Sequence, residues 1–128
     1  MRPITLEWIN KAEGDWVTAQ REVRARKKPN YDSACFHAQQ CAEKYLKARL
    51  QESNIAFTKT HDLMNLLTAA VPAEPSLSGL HADLVVLTSF VVEFRYPGQW
   101  ATKSDAQDAI KRCRNVRLVM RQSFGLTT

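Results

Sequence analysis

Four glycines and five prolines are few for 128 residues. That scarcity excludes a fold of many short strands, because each tight turn draws on those residues. Long elements with few connections remain, and these favour helices. No run approaches the roughly 18 apolar residues that a membrane span requires, and the opening MRPITLEWINKAEGDW holds no apolar segment of the signal-sequence type. A soluble, cytoplasmic protein without a membrane partner is expected. Cysteine is sparse too. Cys35, Cys41 and Cys113 are odd in number and spaced to fit no zinc pattern. They are expected to be reduced packing residues, with no metal and no cofactor.

What is present builds helices. Residues 5 to 26 place Trp8, Ile9, Ala12, Trp16, Ala19 and Val23 at steps of three and four, the stripe of an amphipathic helix. Glu7 falls in its first turn and Arg24 and Arg26 in its last, as the helix dipole favours. Gly14 costs about 1 kcal/mol relative to Ala inside this pattern and suggests a close helix contact. Pro29 ends the run. Asp32 is placed to cap a second helix reaching about Ser53, and Thr60 a short third one through Leu63, Leu66, Leu67 and Ala70. The prolines of VPAEPSLSG call for a loop. A fourth helix carries Leu77, Leu80, Leu84, Leu87, Val91 and Phe94 in step and stops at RYPG. Its VVLTSFVVEF portion is rich in β-branched residues, but the longer spacing favours helix over strand. Ser104 and Gln107 form a capping box for a fifth helix, with Ala106, Ile110, Cys113, Arg117 and Met120 along one side. An all-α, antiparallel up-and-down bundle of four to five helices is predicted, in a single domain spanning residues 1–128.

The second helix poses the functional question. At about 100° per residue, Phe36, His37, Glu43, Lys44 and Lys47 fall in one sector around Gln40. Tyr31, Ala34, Cys35, Ala38, Ala42, Tyr45 and Leu46 face the other way, with Arg49 the one intruder and Gln39 and Gln51 outside the polar patch. A solvated face would account for such a sector through i,i+4 pairs worth about 0.2–0.5 kcal/mol each. A Phe among the polar groups fits a dimer interface or ligand contact better. The net charge of +5 suits an anionic partner.

The run WINKAEGD at 8–15, FHAQQCAEKYLKA at 36–48, THDL at 60–63 and RYP at 95–97 resembles the HEPN domain family, the higher eukaryotes and prokaryotes nucleotide-binding domain. The resemblance spans nearly the whole chain, its central block being the specific part, and is closest to the branch with EK–LKA and RYP. It implies an all-α bundle. It also implies a nucleotide-binding role, often beside a minimal nucleotidyltransferase encoded alongside in a toxin–antitoxin pair. Other members are metal-independent ribonucleases that act as dimers through an Arg followed four to six residues later by His. No such Arg–His spacing occurs around Arg95 or before His37, His61 or His81. The expectation is therefore no catalytic residue and no enzyme activity of the chain alone.

The residues expected to meet a ligand are Gln40, Glu43, Lys44, Lys47, His61, Arg95 and Tyr96. Lys44 and Lys47 suit phosphate as flexible point charges, or else lie on a solvated face. Gln40 suits a base, a dimer contact or an inter-helix hydrogen bond. Glu43 is expected to orient Lys47 or cap a neighbour. His61 is either a base or phosphate contact, or a helix-start hydrogen bond. Arg95 offers a fork for phosphate or carboxylate, with a buried pair to Glu43 as the structural alternative. Lys111, Arg112, Arg114, Arg117 and Arg121 make a second basic strip, read as a solvated face or a dock for an acidic partner or RNA. The function expected is a homodimeric module that binds a nucleotide or RNA phosphate and works with a minimal nucleotidyltransferase. The alternatives are a metal-independent ribonuclease toxin with an atypical site and a purely structural dimeric adaptor.

Overall fold

The computed structural model describes residues 1–127. Helices α1 (Pro3–Arg24), α2 (Tyr31–Glu52), α3 (Leu63–Ala70), α4 (His81–Glu93) and α5 (Lys103–Ser123) are joined by short connections, with a 3-10 turn at Pro75–Leu80 before α4. No strand occurs among the described residues. The all-α expectation holds, including for VVLTSFVVEF.

α2 is the central element, packed against each of the other four helices. Its Ala34, Ala38 and Ala42 are fully buried, as are Ala12 and Ala19 of α1, and such small side chains let two backbones approach closely. Tyr45, Leu46 and Leu50 fill the space towards the rest of the core, where they meet Leu63, Leu66, Leu77, Leu80, Leu84, Leu87, Val116 and Met120. Each buried Leu removes apolar area from water worth about 1.5–3 kcal/mol. The three cysteines are buried and unpaired. Burial, with Asp105 and Asp32 adding to it, pushes the Cys35 thiol up to about 12. Burial and the adjacent Cys113 raise Cys41 well above the ordinary thiol range. Because the thiolate is the reactive species, native protein at pH 8 is expected to leave both thiols unmodified by a disulfide reagent, and urea to release them. Stoichiometric labelling before unfolding would contradict the packing.

Several boundaries differ from the sequence expectation. α2 is capped by Asn30, whose side chain accepts from Ser33 N at 2.9 Å, and not by Asp32. The Asp32 carboxylate, one position inside the helix, is free to accept from Ala101 N at 2.7 Å and pins the α4–α5 connection. Asp62 and not Thr60 caps α3; Thr60 Oγ1 instead accepts from Asp62 N. The capping box of α5 is Thr102 with Asp105, not Ser104 with Gln107. Because α1 starts at Pro3, Glu7 lies beyond its first turn and Arg26 beyond its last. Gly14 makes no close contact: nothing lies within 4 Å of where its Cβ would be. Half of the expected proline loop winds into the 3-10 turn. That turn and α4 together, Pro75–Glu93, have a mean hydropathy of 1.4, long and apolar enough by length and composition to cross a membrane, contrary to the expectation that no such stretch exists. Leu77, Leu80, Leu84 and Leu87 from this run lie in the core, whereas Val85 and Val92 remain exposed.

Candidate functional site

The polar sector of α2 is not a solvated face. Glu43 is only 2% exposed and Lys47 6%. Lys47 Nζ meets Glu43 Oε2 at 3.1 Å, so Glu43 does orient Lys47, and the ammonium lies 5.5 Å from the Trp8 ring centroid. One turn earlier, the buried Asp15 of α1 accepts from Lys44 Nζ at 2.6 Å and pairs with His37 Nδ1 at 2.7 Å. A third carboxylate, Glu13, takes Arg117 from α5 through two hydrogen bonds and the Tyr45 hydroxyl at 2.7 Å. Burial works against ionisation of Glu13, but the bonds from Arg117 and Tyr45 outweigh it, and its carboxyl is held below the ordinary value. The same pairing raises the Arg117 guanidinium, while burial and the bond to Glu13 raise the Tyr45 hydroxyl. The α1–α2 seam is therefore electrostatically closed.

Open surface lies on the other flank of α2, against α4. A groove of about 290 Å³ is lined by Phe36, Gln39, Gln40, His61, Thr88, Val91, Val92 and Arg95. A second hollow of about 480 Å³ adjoins it and shares Phe36, Val91 and Arg95, adding Asn30, Asp32, Phe94 and Trp100. Arg95 thus stands on the wall common to both. It is exposed and has no hydrogen-bond or ion-pair partner among the described residues. Trp100 is 76% exposed and Phe36 46%, and both line the larger hollow together with Phe90, Val91 and Phe94. At the opposite rim the Glu43 carboxylate reaches His61 Nδ1 at 3.1 Å. The His61 side chain is 79% exposed, so its other nitrogen faces outward while a buried carboxylate fixes the ring. Gln39 Nε2 makes a weak contact to Glu43 Oε1 at 3.4 Å, and Gln40 Nε2 donates to Gln39 Oε1 at 2.8 Å.

The HEPN domain family model matches residues 5–123, nearly the full length of the chain. The chain belongs to the HEPN family. An archaeal HEPN homologue of known crystal structure superposes with a TM-score of 0.71 at 25% sequence identity, covering 96% of this chain and 98% of its own. No curated protein matches the chain.

In this HEPN bundle, Gln40, His61 and Arg95 line one groove, and Glu43 joins them through His61. Lys44 and Lys47 do not; their ammonium groups are held at the α1–α2 seam by Asp15 and Glu43. Tyr96 is exposed beside Arg95 but lines neither hollow. Three structural alternatives also change. Arg95 is not buried against Glu43, whose oxygens are already occupied. His61 precedes the α3 cap and so makes no helix-start bond. Gln40 bonds its own neighbour on α2, not another helix. Gln39, placed outside the patch by angular position alone, is inside it, since α3 and α4 lean over that side of α2. Sequence reading also missed Trp100, which has no periodic partner, and Asp15, read as part of a family pattern and not as the anchor of two cations. Most of the C-terminal basic strip is tied down and not simply solvated: Arg112 pairs with Asp83 and Asp108, Arg117 and Arg121 with Glu13, and Arg114 lies over Trp16, whereas Lys111 is exposed as expected of a solvated face. Arg49, the intruder on the apolar side, stacks on Phe124 at 4.7 Å and donates to Ser123 Oγ at 3.0 Å.

Proposed function

We propose that this HEPN domain binds a nucleotide or nucleic-acid phosphate in the α2–α4 groove. In this reading it acts as a homodimer and works with a minimal nucleotidyltransferase encoded alongside it, in a toxin–antitoxin pair. The observation that carries the binding reading is the Arg95 guanidinium, without a protein partner, on the wall shared by two hollows that also hold Gln40, His61, Phe36 and Trp100. A guanidinium fork suits phosphate oxygens, an amide suits a base edge, and the exposed rings suit base stacking, worth about 1–3 kcal/mol per base. Calorimetric titration with ATP, GTP and a short RNA is expected to give binding that Arg95→Ala weakens at least tenfold. Lys44→Ala, by contrast, should change stability and leave affinity almost unaltered. Affinity that survives Arg95→Ala would remove the groove from consideration.

The dimer reading rests on α4, where Val85 and Val92, seven residues apart on one side of the helix, remain exposed, Val92 lining the groove with Phe36. Phe36→Asp with Val92→Asp should convert a sedimenting dimer to a monomer; a wild-type monomer at high concentration would refute it. For the partnership, a gene neighbourhood without a nucleotidyltransferase reading frame is the contrary observation. A second reading, metal-independent RNA cleavage, is favoured by one feature, the alignment of exposed His61 by buried Glu43, the arrangement of an oriented general base. RNA left intact after long incubation with purified protein would exclude it.

A further inference from the structure

At the end of the bundle where α1 stops and α5 starts, three hollows adjoin, of about 230, 680 and 470 Å³, and Arg24 lines all three. Arg114 lines the first with it, Arg26 and Lys103 the second, and Arg21 the third. No carboxylate lines any of them. The acidic side chains nearest in sequence are committed elsewhere: Glu22 accepts from Asn30 N, Asp32 from Ala101 N and Asp105 from Thr102 N. Arg21, Arg24, Arg26 and Lys103 are exposed. Unlike the cations of α5 that are tied to Asp83 and Glu13, this group makes no ion pair among the described residues.

The basic end lies next to the hollow of Arg95. Pro29 and Tyr31 line the 680 Å³ hollow, while their neighbours Asn30 and Asp32 line the hollow of Arg95. On the facing connection, Lys103 belongs to the former and Trp100 to the latter. The 2.7 Å bond from Ala101 N to Asp32 holds the ridge between them. The two hollows therefore adjoin across that ridge, rings and Arg95 on one side, cations that make no ion pair on the other, and the Asp32 carboxylate between them. A mononucleotide would fill the first part and leave the second empty. A chain of phosphodiesters, with a negative charge at every link, matches both.

Building on the groove reading above, we propose that the basic end is a phosphodiester-binding surface that extends the groove, so that the ligand is a single-stranded oligonucleotide and not a mononucleotide. The surface positions the strand through its backbone, without base readout.

The test compares AMP with unstructured oligoadenylates of increasing length, by fluorescence anisotropy across salt concentrations. Affinity should rise with length and fall with salt at a log–log slope near −3, from roughly four single-strand phosphate contacts at about 0.7 each. Arg24→Ala/Arg26→Ala/Lys103→Ala should flatten that slope by about 2 and leave AMP affinity unchanged, while Arg95→Ala weakens both ligands. Arg24→Glu alone, with an unaltered circular dichroism spectrum, serves as the folded control and should also weaken only the longer ligands. Equal affinity for AMP and the longest oligonucleotide, or an unchanged salt slope in the triple variant, overturns the extension and leaves the groove reading standing. A triple variant that loses only long-oligonucleotide affinity, while Arg95→Ala changes nothing, supports the surface and sinks the groove instead. If the triple variant binds oligonucleotide normally but no longer captures a purified acidic protein partner, the surface is a protein dock and the proposal fails.

Discussion

Replacing Glu43 with Ala is expected to lower the unfolding free energy by about 3–5 kcal/mol, the range for removing one member of a buried ion pair. The reason is not the bond that disappears but the ammonium that stays. Lys47 is 6% exposed and would keep only the Trp8 face, 5.5 Å away, as compensation. Exposed i,i+4 pairs of the same chemistry are worth about a tenth of that, so burial decides the magnitude. Urea denaturation at constant m-value measures the loss. The double variant Glu43→Leu/Lys47→Met should recover most of it, since exchanging both charges for apolar groups of similar volume is close to neutral or stabilising. A loss below about 1 kcal/mol in the single variant would mean that water reaches the pair, and the closed seam between α1 and α2 would have to be abandoned. Glu43→Ala also releases His61, so if the imidazole serves ligand or chemistry, affinity or rate falls in the double variant too, although stability returns.

The second large effect is acid-dependent. Glu13→Gln is expected to cost about 1.5–3 kcal/mol near neutrality, the range for a hydrogen bond to a charged group, because one carboxylate serves Arg117 from α5 and Tyr45 from α2. Burial opposes ionisation of Glu13, yet its bonds to Arg117 and Tyr45 prevail and its folded pKa lies below the ordinary 4.5. The unfolded chain therefore takes up the proton first as pH drops. The stabilisation is complete above the unfolded value and disappears as pH falls through the lower, folded one. Wild type and Glu13→Gln should differ at pH 7 and converge only as pH falls through the folded value of Glu13, in chemical denaturation. A deficit that stays constant throughout the acid range in which the protein remains folded would show that the Glu13 charge contributes nothing, leaving the shape of the side chain as its role.

These two carboxylates show what was hard to read from the chain. Position around a helix axis places Gln40, Glu43, Lys44 and Lys47 in one sector, and it does so correctly. It cannot say whether that sector meets water or another helix. Because α2 is covered by α1 on one flank and by α3 and α4 on the other, the sector is divided: Lys44 and Lys47 turn into the α1 seam, while Gln40 and Gln39 turn towards Arg95. The caps failed for a related reason. Asn30 and Asp32, Thr60 and Asp62, and Thr102 and Ser104 are each plausible caps two residues apart, and only the backbone dihedrals at the turn select between them.

The sequence by itself determined the helices, their order and the apolar stripe that each buries, because a 3.6-residue period is a local property that survives any packing arrangement. It also determined the family, through blocks spread along nearly the whole chain. The tertiary structure alone decided which charges cancel and which remain available. Ion pairing depends on distances of 3–4 Å between residues tens of positions apart, Asp15 with Lys44 or Glu13 with Arg117, and no local pattern carries those distances. Arg95 and the cations around Arg24 remain available because, among the described residues, no carboxylate comes within ion-pairing distance of them.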